Sequence, residues 1–133
     1  MEWSPISKPR DALQRAPNLA DYPAAYRDFS WDQVREQLDG LPGGGLNIAH
    51  EALFRHLKGP AADRVAIRFL AQGAAAKDCT YRELATDARR FANVLAQLGV
   101  QRGERVASLM GRVPPLYATV LGTLAAGAIY CPL

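Results

Sequence analysis

Cysteine, histidine and methionine are all scarce in this sequence, with two of each in 133 residues. Cys79 and Cys131 each lie in a stretch that reads as a strand, without a second Cys or a His at ligand spacing. That spacing argues against a disulfide framework or a zinc site. Two buried thiols in a reducing cytoplasm fit better, with one disulfide or a metal site as the alternative. His50 and His56 are six residues apart on a predicted helix, so they point roughly 120° apart. One metal ion would not take both, and they read as structural or solvated histidines.

Long apolar runs are also missing, and none approaches the ~20 residues of a membrane span. The opening Met1-Glu2-Trp3-Ser4-Pro5 has no basic segment ahead of an apolar core, so no secretory signal is read. Nor does one sign of charge dominate: 16 Lys and Arg face 13 Asp and Glu, a formal net charge of +3. The arginines are scattered, and only Arg89 and Arg90 are adjacent. A nucleic-acid reader clusters its positive charge on one face, so this pair reads instead as an exposed helix face. The expectation is a cytoplasmic protein with neither a nucleic-acid nor a membrane partner. A hydrophobic fraction of 49% and a charged fraction of 22% are ordinary for one compact domain.

What the chain does hold is a run of helix and strand signals. Pro5, Pro9, Pro17 and Pro23 interrupt residues 1–29, which therefore read as an extended arm with Tyr22, Tyr26, Phe29 and Trp31 as anchors. Ser30-Trp31-Asp32-Gln33 resembles a capping box opening a short helix, with Trp31, Val34 and Leu38 on one face and Gly40 at its end. Leu41-Pro42-Gly43-Gly44-Gly45 reads as a linker: no strand precedes it, and it lacks the Gly-x-x-x-x-Gly-Lys-Ser/Thr phosphate pattern. Asn47 caps a predicted helix over about 48–58.

Val65–Phe69 and Asp78–Tyr81 read as a hairpin with a longer connection. Thr80-Tyr81-Arg82-Glu83 is a second capping box. Behind it Leu84, Ala88, Phe91, Leu95 and Leu98 form the stripe of an amphipathic helix, stopped by Gly99. Arg105–Met110 reads as a strand. A helix follows that admits Pro114 and Pro115 in its first turn, carries Leu116, Val120, Leu121 and Leu124, and ends at Gly127. Ala128–Leu133 is a further apolar strand. Strand, helix and strand predict a parallel βαβ unit with a right-handed crossover. The fold class is therefore α/β, with residues 1–45 as arm, short helix and Gly-rich linker, and 46–133 as an α/β portion. An apolar strand with nothing after it to cover the sheet leads to the expectation of truncation.

Chemistry is hard to find in these residues. Gly111-Arg112-Val113-Pro114-Pro115 joins a strand to a helix N-terminus, a common phosphate site. Two prolines there remove two donors, and the dinucleotide glycine fingerprint is absent. Arg112 reads as exposed or salt-bridged. No Gly-x-Ser-x-Gly elbow is present. Glu83, Asp87 and Glu104 have structural explanations in capping, solvation and a turn. No residue is assigned a catalytic, cofactor-binding or metal-binding role.

One resemblance supplies what periodicity does not. Thr80-Tyr81-Arg82-Glu83-Leu84, Phe91-Ala92-Asn93-Val94-Leu95, Leu98 to Val106, Met110 to Pro114, Leu121-Gly122 and Ala126 to Leu133 resemble, in order and spacing, the N-terminal region of acyl- and acetyl-CoA synthetases. These belong to the adenylate-forming superfamily, with luciferases and peptide-synthetase adenylation domains. Tyr26 to Trp31 and Leu46 to Ala52 are similar to the arm of acetyl-CoA synthetases in particular. The resemblance covers roughly residues 18–133. It implies the N-terminal part of the large domain of a ligase that joins acetate or another short-chain carboxylate to CoA. The acid attacks the α-phosphate of ATP with Mg present, and the CoA thiolate then displaces AMP. The family's phosphate loop, its Tyr-Gly-x-Thr-Glu-like segment, its ribose-binding aspartate and its C-terminal lysine have no counterpart in these residues. The resemblance therefore implies an inactive portion that binds no cofactor itself, partnered by the rest of the parent enzyme or by a second copy through exposed sheet. The alternatives are a stand-alone protein-interaction module and a small nucleotide-binding regulator.

Overall fold

The computed structural model describes Ser4 and residues 17–133, in two compact units that divide between Gln37 and Leu38. Gly43–Gly45 fall within the second unit.

The first unit corrects the expected extended arm over residues 22–28. Tyr22–Asp28 form a helix, α1, capped by the Asp21 carboxylate, which accepts the Ala24 N–H at 3.0 Å. Pro23 sits in the first turn, where the N–H it lacks has no intrahelical partner to lose. The part of the expected arm that holds Pro5 and Pro9 lies outside the described residues. Helix α2 (Trp31–Glu36) has the hydroxyl half of the expected cap: Ser30 Oγ accepts the Asp32 N–H at 3.2 Å. It stops at Glu36, before Gly40. The aromatic residues pack on each other, Tyr22 on Tyr26 with ring centroids 6.1 Å apart and Phe29 edge-on to Trp31 at 5.0 Å. Trp31 is 74% exposed.

The second unit opens with α3 (Ile48–Ala52). The Asn47 side-chain oxygen accepts the Ala49 and His50 N–H groups at 2.9 and 3.2 Å. The sequence predicts this helix through residue 58, but the α-helix ends at Ala52. Leu53 leaves helical geometry (φ −132°, ψ −61°), and a 3₁₀ turn follows over Phe54–Leu57. Leu53 is 1% exposed and joins Leu84, Ala85 and Ala88 in the core. Burying a leucine side chain contributes roughly 1.5–3 kcal/mol, enough to outweigh one broken turn.

A second 3₁₀ turn, Pro60–Asp63, leads into the hairpin of β1 (Val65–Phe69) and β2 (Lys77–Thr80). The strands are antiparallel, with Ile67 opposite Cys79 and an irregularity between Val65 and Ile67. Thr80 then caps α4 (Tyr81–Gln97) in a full capping box: its hydroxyl accepts the Glu83 N–H, and the Glu83 carboxylate accepts the Thr80 N–H at 2.8 Å. A cap of this kind contributes roughly 1 kcal/mol. Leu84, Ala88 and Leu95 lie buried on the expected stripe, with Phe91 half-buried beside them. Leu98 does not join them: as the C-cap it is 74% exposed. Gly99 takes φ +81°, and the Gly99 and Val100 N–H groups bond back to the Ala96 and Leu95 carbonyls. This double closure satisfies carbonyls left free at the helix end.

Strand β3 (Arg105–Ser108), helix α5 (Pro114–Ala125) and strand β4 (Ile129–Pro132) form the βαβ unit, with β3 and β4 parallel and Arg105 opposite Ile129. The fold is a mixed α/β arrangement of an antiparallel hairpin and a parallel βαβ unit. In α5 the buried residues are Thr119, Gly122 and Thr123, while the expected leucines are only half-buried. The reason is the closeness of α4. A Cβ built on Gly122 would lie 2.6 Å from the Ala88 carbonyl oxygen and 3.0 Å from Phe91 Cβ. Small side chains therefore take the contact line, and larger ones flank it.

Gly122→Ala is expected to destabilise the chain by about 1–3 kcal/mol through overpacking, despite alanine's better helix propensity. A urea unfolding curve with an unchanged midpoint would mean that the two helices do not meet there.

Candidate functional site

The second unit holds a cleft of about 370 Å³ beside β2 and the first turns of α4, lined among others by Lys77, Cys79, Arg82, Glu83 and Asp87. Its position follows from the capping box. Thr80 ends β2 and starts α4 without an intervening loop, so the polar residues of strand and helix converge. Phe69 closes one side, packed edge-on against Tyr117 with ring centroids 5.8 Å apart.

The charges around this cleft are mostly committed to one another. Arg68 donates two hydrogen bonds to the Asp78 carboxylate, at 2.6 and 2.7 Å. Arg82 does the same to Asp63, at 2.8 and 3.1 Å. Such forks fix guanidinium and carboxylate in one plane. Each arginine's bond holds its partner carboxyl below the usual carboxylate range. The backbone N–H and hydroxyl of Thr80 do the same for Glu83, as capping requires of a charged acceptor. Arg90 reaches Asp87 at 3.3 Å, and Arg89 lies over the Phe54 ring at 5.0 Å. Both arginines are exposed on α4, where the sequence expects them.

Cys79 and Cys131 lie in β2 and β4, half-buried and unpaired by disulfide. Burial first, then the nearby Glu83 and Asp87 carboxylates, raise the Cys79 thiol above its ordinary value. That is the opposite of what a nucleophilic cysteine needs. Tyr130 OH and Ser108 Oγ meet at 2.5 Å across β3 and β4, pinning the C-terminal end of the pair. The two histidines diverge as expected. His50 contacts Asp39 at 2.6 Å, and His56 packs against Tyr81 with ring centroids 5.3 Å apart. Among the described residues no group of three or more His, Cys, Asp or Glu side chains is placed to hold a metal ion.

At the N-terminus of α5, Val113 occupies the cap without a side-chain bond, and Pro114 opens the first turn. Arg112 is exposed beside it. The sequence misses a different cluster: His50 and Glu51 of α3, Arg55 of the 3₁₀ turn after it, and Asp39 come together. Only the spacing of Glu51 and Arg55, four residues apart on a predicted helix, hinted at it. Asp39 and Gly40 reach it across a glycine-rich loop whose path no periodicity specifies. As an ensemble these side chains can hold a backbone and order charges. None places a nucleophile beside a base.

Comparison with known proteins places this framework. Residues 53–133 match the family model described as AMP-binding enzyme. Acetyl-coenzyme A synthetase of Bacillus subtilis is 33% identical over 123 residues, which is 92% of this chain and 21% of that protein. The 3-hydroxypropionyl-coenzyme A synthetase of Metallosphaera sedula is 32% identical, covering 75% of this chain and 16% of its own length. The crystal structure of Brucella canis acyl-CoA synthetase superposes with a TM-score of 0.73 at 33% identity, covering 82% of this chain and 20% of that one. The chain thus spans about a fifth of the length of the relatives it matches.

The depressed carboxyls predict an acid limb. A group whose folded pKa lies below its unfolded value contributes stability that is present above the unfolded pKa, roughly 4 for Asp and Glu. That stability is lost as pH falls through the folded value. Thermal unfolding midpoints should therefore drop below about pH 4. Arg68→Gln should make that drop shallower, because Asp78 then loses the partner that depresses it. The difference should be small, since the pair is exposed. An acid limb of equal depth in the variant would remove Asp78 from the account.

Proposed function

The chain belongs to the AMP-binding enzyme family, and from that premise we propose that it is the N-terminal scaffold of an AMP-forming acid–CoA ligase acting on acetate or a similar short-chain acid. The observation that supports this most is continuity. The family match spans the hairpin, α4 and the βαβ unit, while Arg68, Asp78, Glu83 and Arg82 around the cleft are engaged in a cap and paired forks. The B. subtilis relative, matched over 92% of the chain, favours acetate. The M. sedula relative is named for a hydroxylated three-carbon acid instead, so the short-chain class carries more weight than acetate itself.

In this reading ATP, CoA and magnesium engage other parts of the parent enzyme, and the reaction is adenylation of the acid followed by thioester formation. This portion contributes rigidity. The α4–α5 contact sets the spacing between the hairpin and the β3–β4 pair, a platform on which further strands are laid.

Purified alone, the chain should show only background ATP–pyrophosphate exchange with acetate or propionate, and robust exchange would overturn the scaffold reading. Joined to the remaining four fifths of the B. subtilis acetyl-coenzyme A synthetase, it should restore acyl-CoA formation. A chimera that unfolds cooperatively yet activates no short-chain acid would overturn the ligase reading.

A second expectation concerns the sheet. Among the described residues β3 and β4 pair only with each other. Leu109 and Leu133, at their C-terminal ends, are 83% and 78% exposed. Unpaired edges flanked by apolar side chains associate. Light scattering of the isolated chain should report dimers or larger species. A monomer at every concentration would count against an unfinished sheet.

A further inference from the structure

Unlike the forks on the hairpin and α4, the cluster on α3 binds backbone as well as side chains. The two Glu51 carboxylate oxygens accept the Gly40 N–H at 2.7 Å and the Asp39 N–H at 3.0 Å. Arg55, one turn further along, donates to Glu51 at 2.6 Å and holds the carboxylate in place. The Asp39 side chain turns back to meet His50 Nε2 at 2.6 Å. Glu51 and His50 thus fasten the Asp39–Gly40 backbone and the Asp39 side chain onto α3, with Arg55 bracing Glu51.

The other end of the same segment is fixed by different means. Asn47 caps α3 with its oxygen, and its Nδ2 donates to the Leu124 carbonyl of α5 at 2.8 Å. Between the two attachments the loop closes on itself through Leu41 N–H to Gly45 C=O, at 2.8 Å. Gly43 and Gly44 there take φ +89° and +83° and are exposed. The segment 38–47 is therefore a strap with one neutral anchor, at Asn47, and one ionic anchor, at Glu51 and His50.

We propose that the Asp39–His50–Glu51–Arg55 cluster is a proton-sensitive latch that seats this strap on α3. Its chemistry follows from the groups that face it. Histidine is the side chain whose charge changes in the range of about pH 5–8. With the ring protonated, the contact with Asp39 is an ion pair. With the ring neutral, it is a hydrogen bond that a carboxylate accepts from N–H, and the Coulomb attraction is gone. Arg55 and Lys58, in and just after the 3₁₀ turn that follows α3, add positive charge toward Asp39. His56 in that turn is engaged with Tyr81. Helix α5, the other element packed against α3, contributes Tyr117 as its one titratable side chain.

The lower limit of the latch is set by the carboxylates. The His50 contact, partly opposed by burial, holds the Asp39 carboxyl below its ordinary range. Burial by itself would raise Glu51. The Asp39 and Gly40 N–H donors and the Arg55 guanidinium together outweigh it and bring that group down as well. The carboxylate side of the latch is present above the ordinary carboxyl range and lost as pH falls through these depressed values. The imidazolium side requires a protonated ring, because the ion pair with Asp39 exists only in that state. The latch is tightest with both carboxylates ionised and the ring protonated.

Amide hydrogen exchange of the whole chain at Asp39 and Gly40, corrected for the intrinsic pH dependence, tests it together with an NMR titration of the His50 ring. Protection should fall several-fold over the pH interval in which the ring resonance shifts. Glu51→Gln should lower protection at every pH, whereas His50→Gln should remove the inflection and leave Gly40 protected. Amides of α4, such as Ala88, report whether each variant is folded. If a variant loses that protection, the wild-type titration alone decides. Wild-type Asp39 and Gly40 amides with no inflection where His50 titrates would overturn the latch, as would intact protection in a folded Glu51→Gln.

Discussion

The close approach of α4 and α5 governs the rest of the second unit. Two helix backbones meet so tightly that a single methyl group at position 122 would clash with a carbonyl oxygen. Glycine there gives up helix propensity and gains a short helix–helix distance. From that contact α4 holds the hairpin through Leu84, Ala85 and the half-buried Ile67 and Cys79. Helix α5 leads directly into β4 through a second glycine, Gly127, at φ +75°. The hairpin and the parallel pair share no strand pairing, so the helices are what join them.

Polar residues are placed to serve this framework. The capping box at Thr80 welds strand to helix. The Arg68–Asp78 and Arg82–Asp63 forks brace the hairpin and the turn before it. Exposed ion pairs of this sort contribute little each, but together they leave few charges near the cleft free for other work. A scaffold can be built this way, whereas an active site needs groups whose hydrogen-bonding demand is left for a substrate. The latch on α3 belongs to the same economy of paired charge. It differs in holding a loop that has no core of its own, so its hold depends on ionisation rather than on burial.

Where the sequence reading departed from the structure, most of the departures trace to contacts between segments distant in sequence. The predicted helix over 48–58 stops at Ala52 because Leu53 is drawn into the core by Leu84, Ala85 and Ala88, which lie some thirty residues away in sequence. The buried face of α5 passes through Thr119, Gly122 and Thr123 rather than its leucines because α4 is too near for larger side chains. Leu98 fits the stripe of α4 but falls at the C-cap, where no facing element covers it. Residues 22–28 of the expected arm form α1 because Pro23 stands in a first turn, where proline is tolerated, rather than in an interior, where it breaks a helix.

Local chemistry by itself determined the hairpin, the long amphipathic helix with its box at Thr80 and stop at Gly99, the parallel βαβ unit and the scarcity of reactive constellations. Each element in them is signalled by residues a few positions apart, whose caps and periodicity are written in order along the chain. Tertiary structure alone decided which face of α5 is buried, where α3 breaks, and that Asp39 and Gly40 come to lie on Glu51. Those outcomes depend on distances between segments that the chain folds together, and a one-dimensional pattern carries no measure of how closely two backbones will approach.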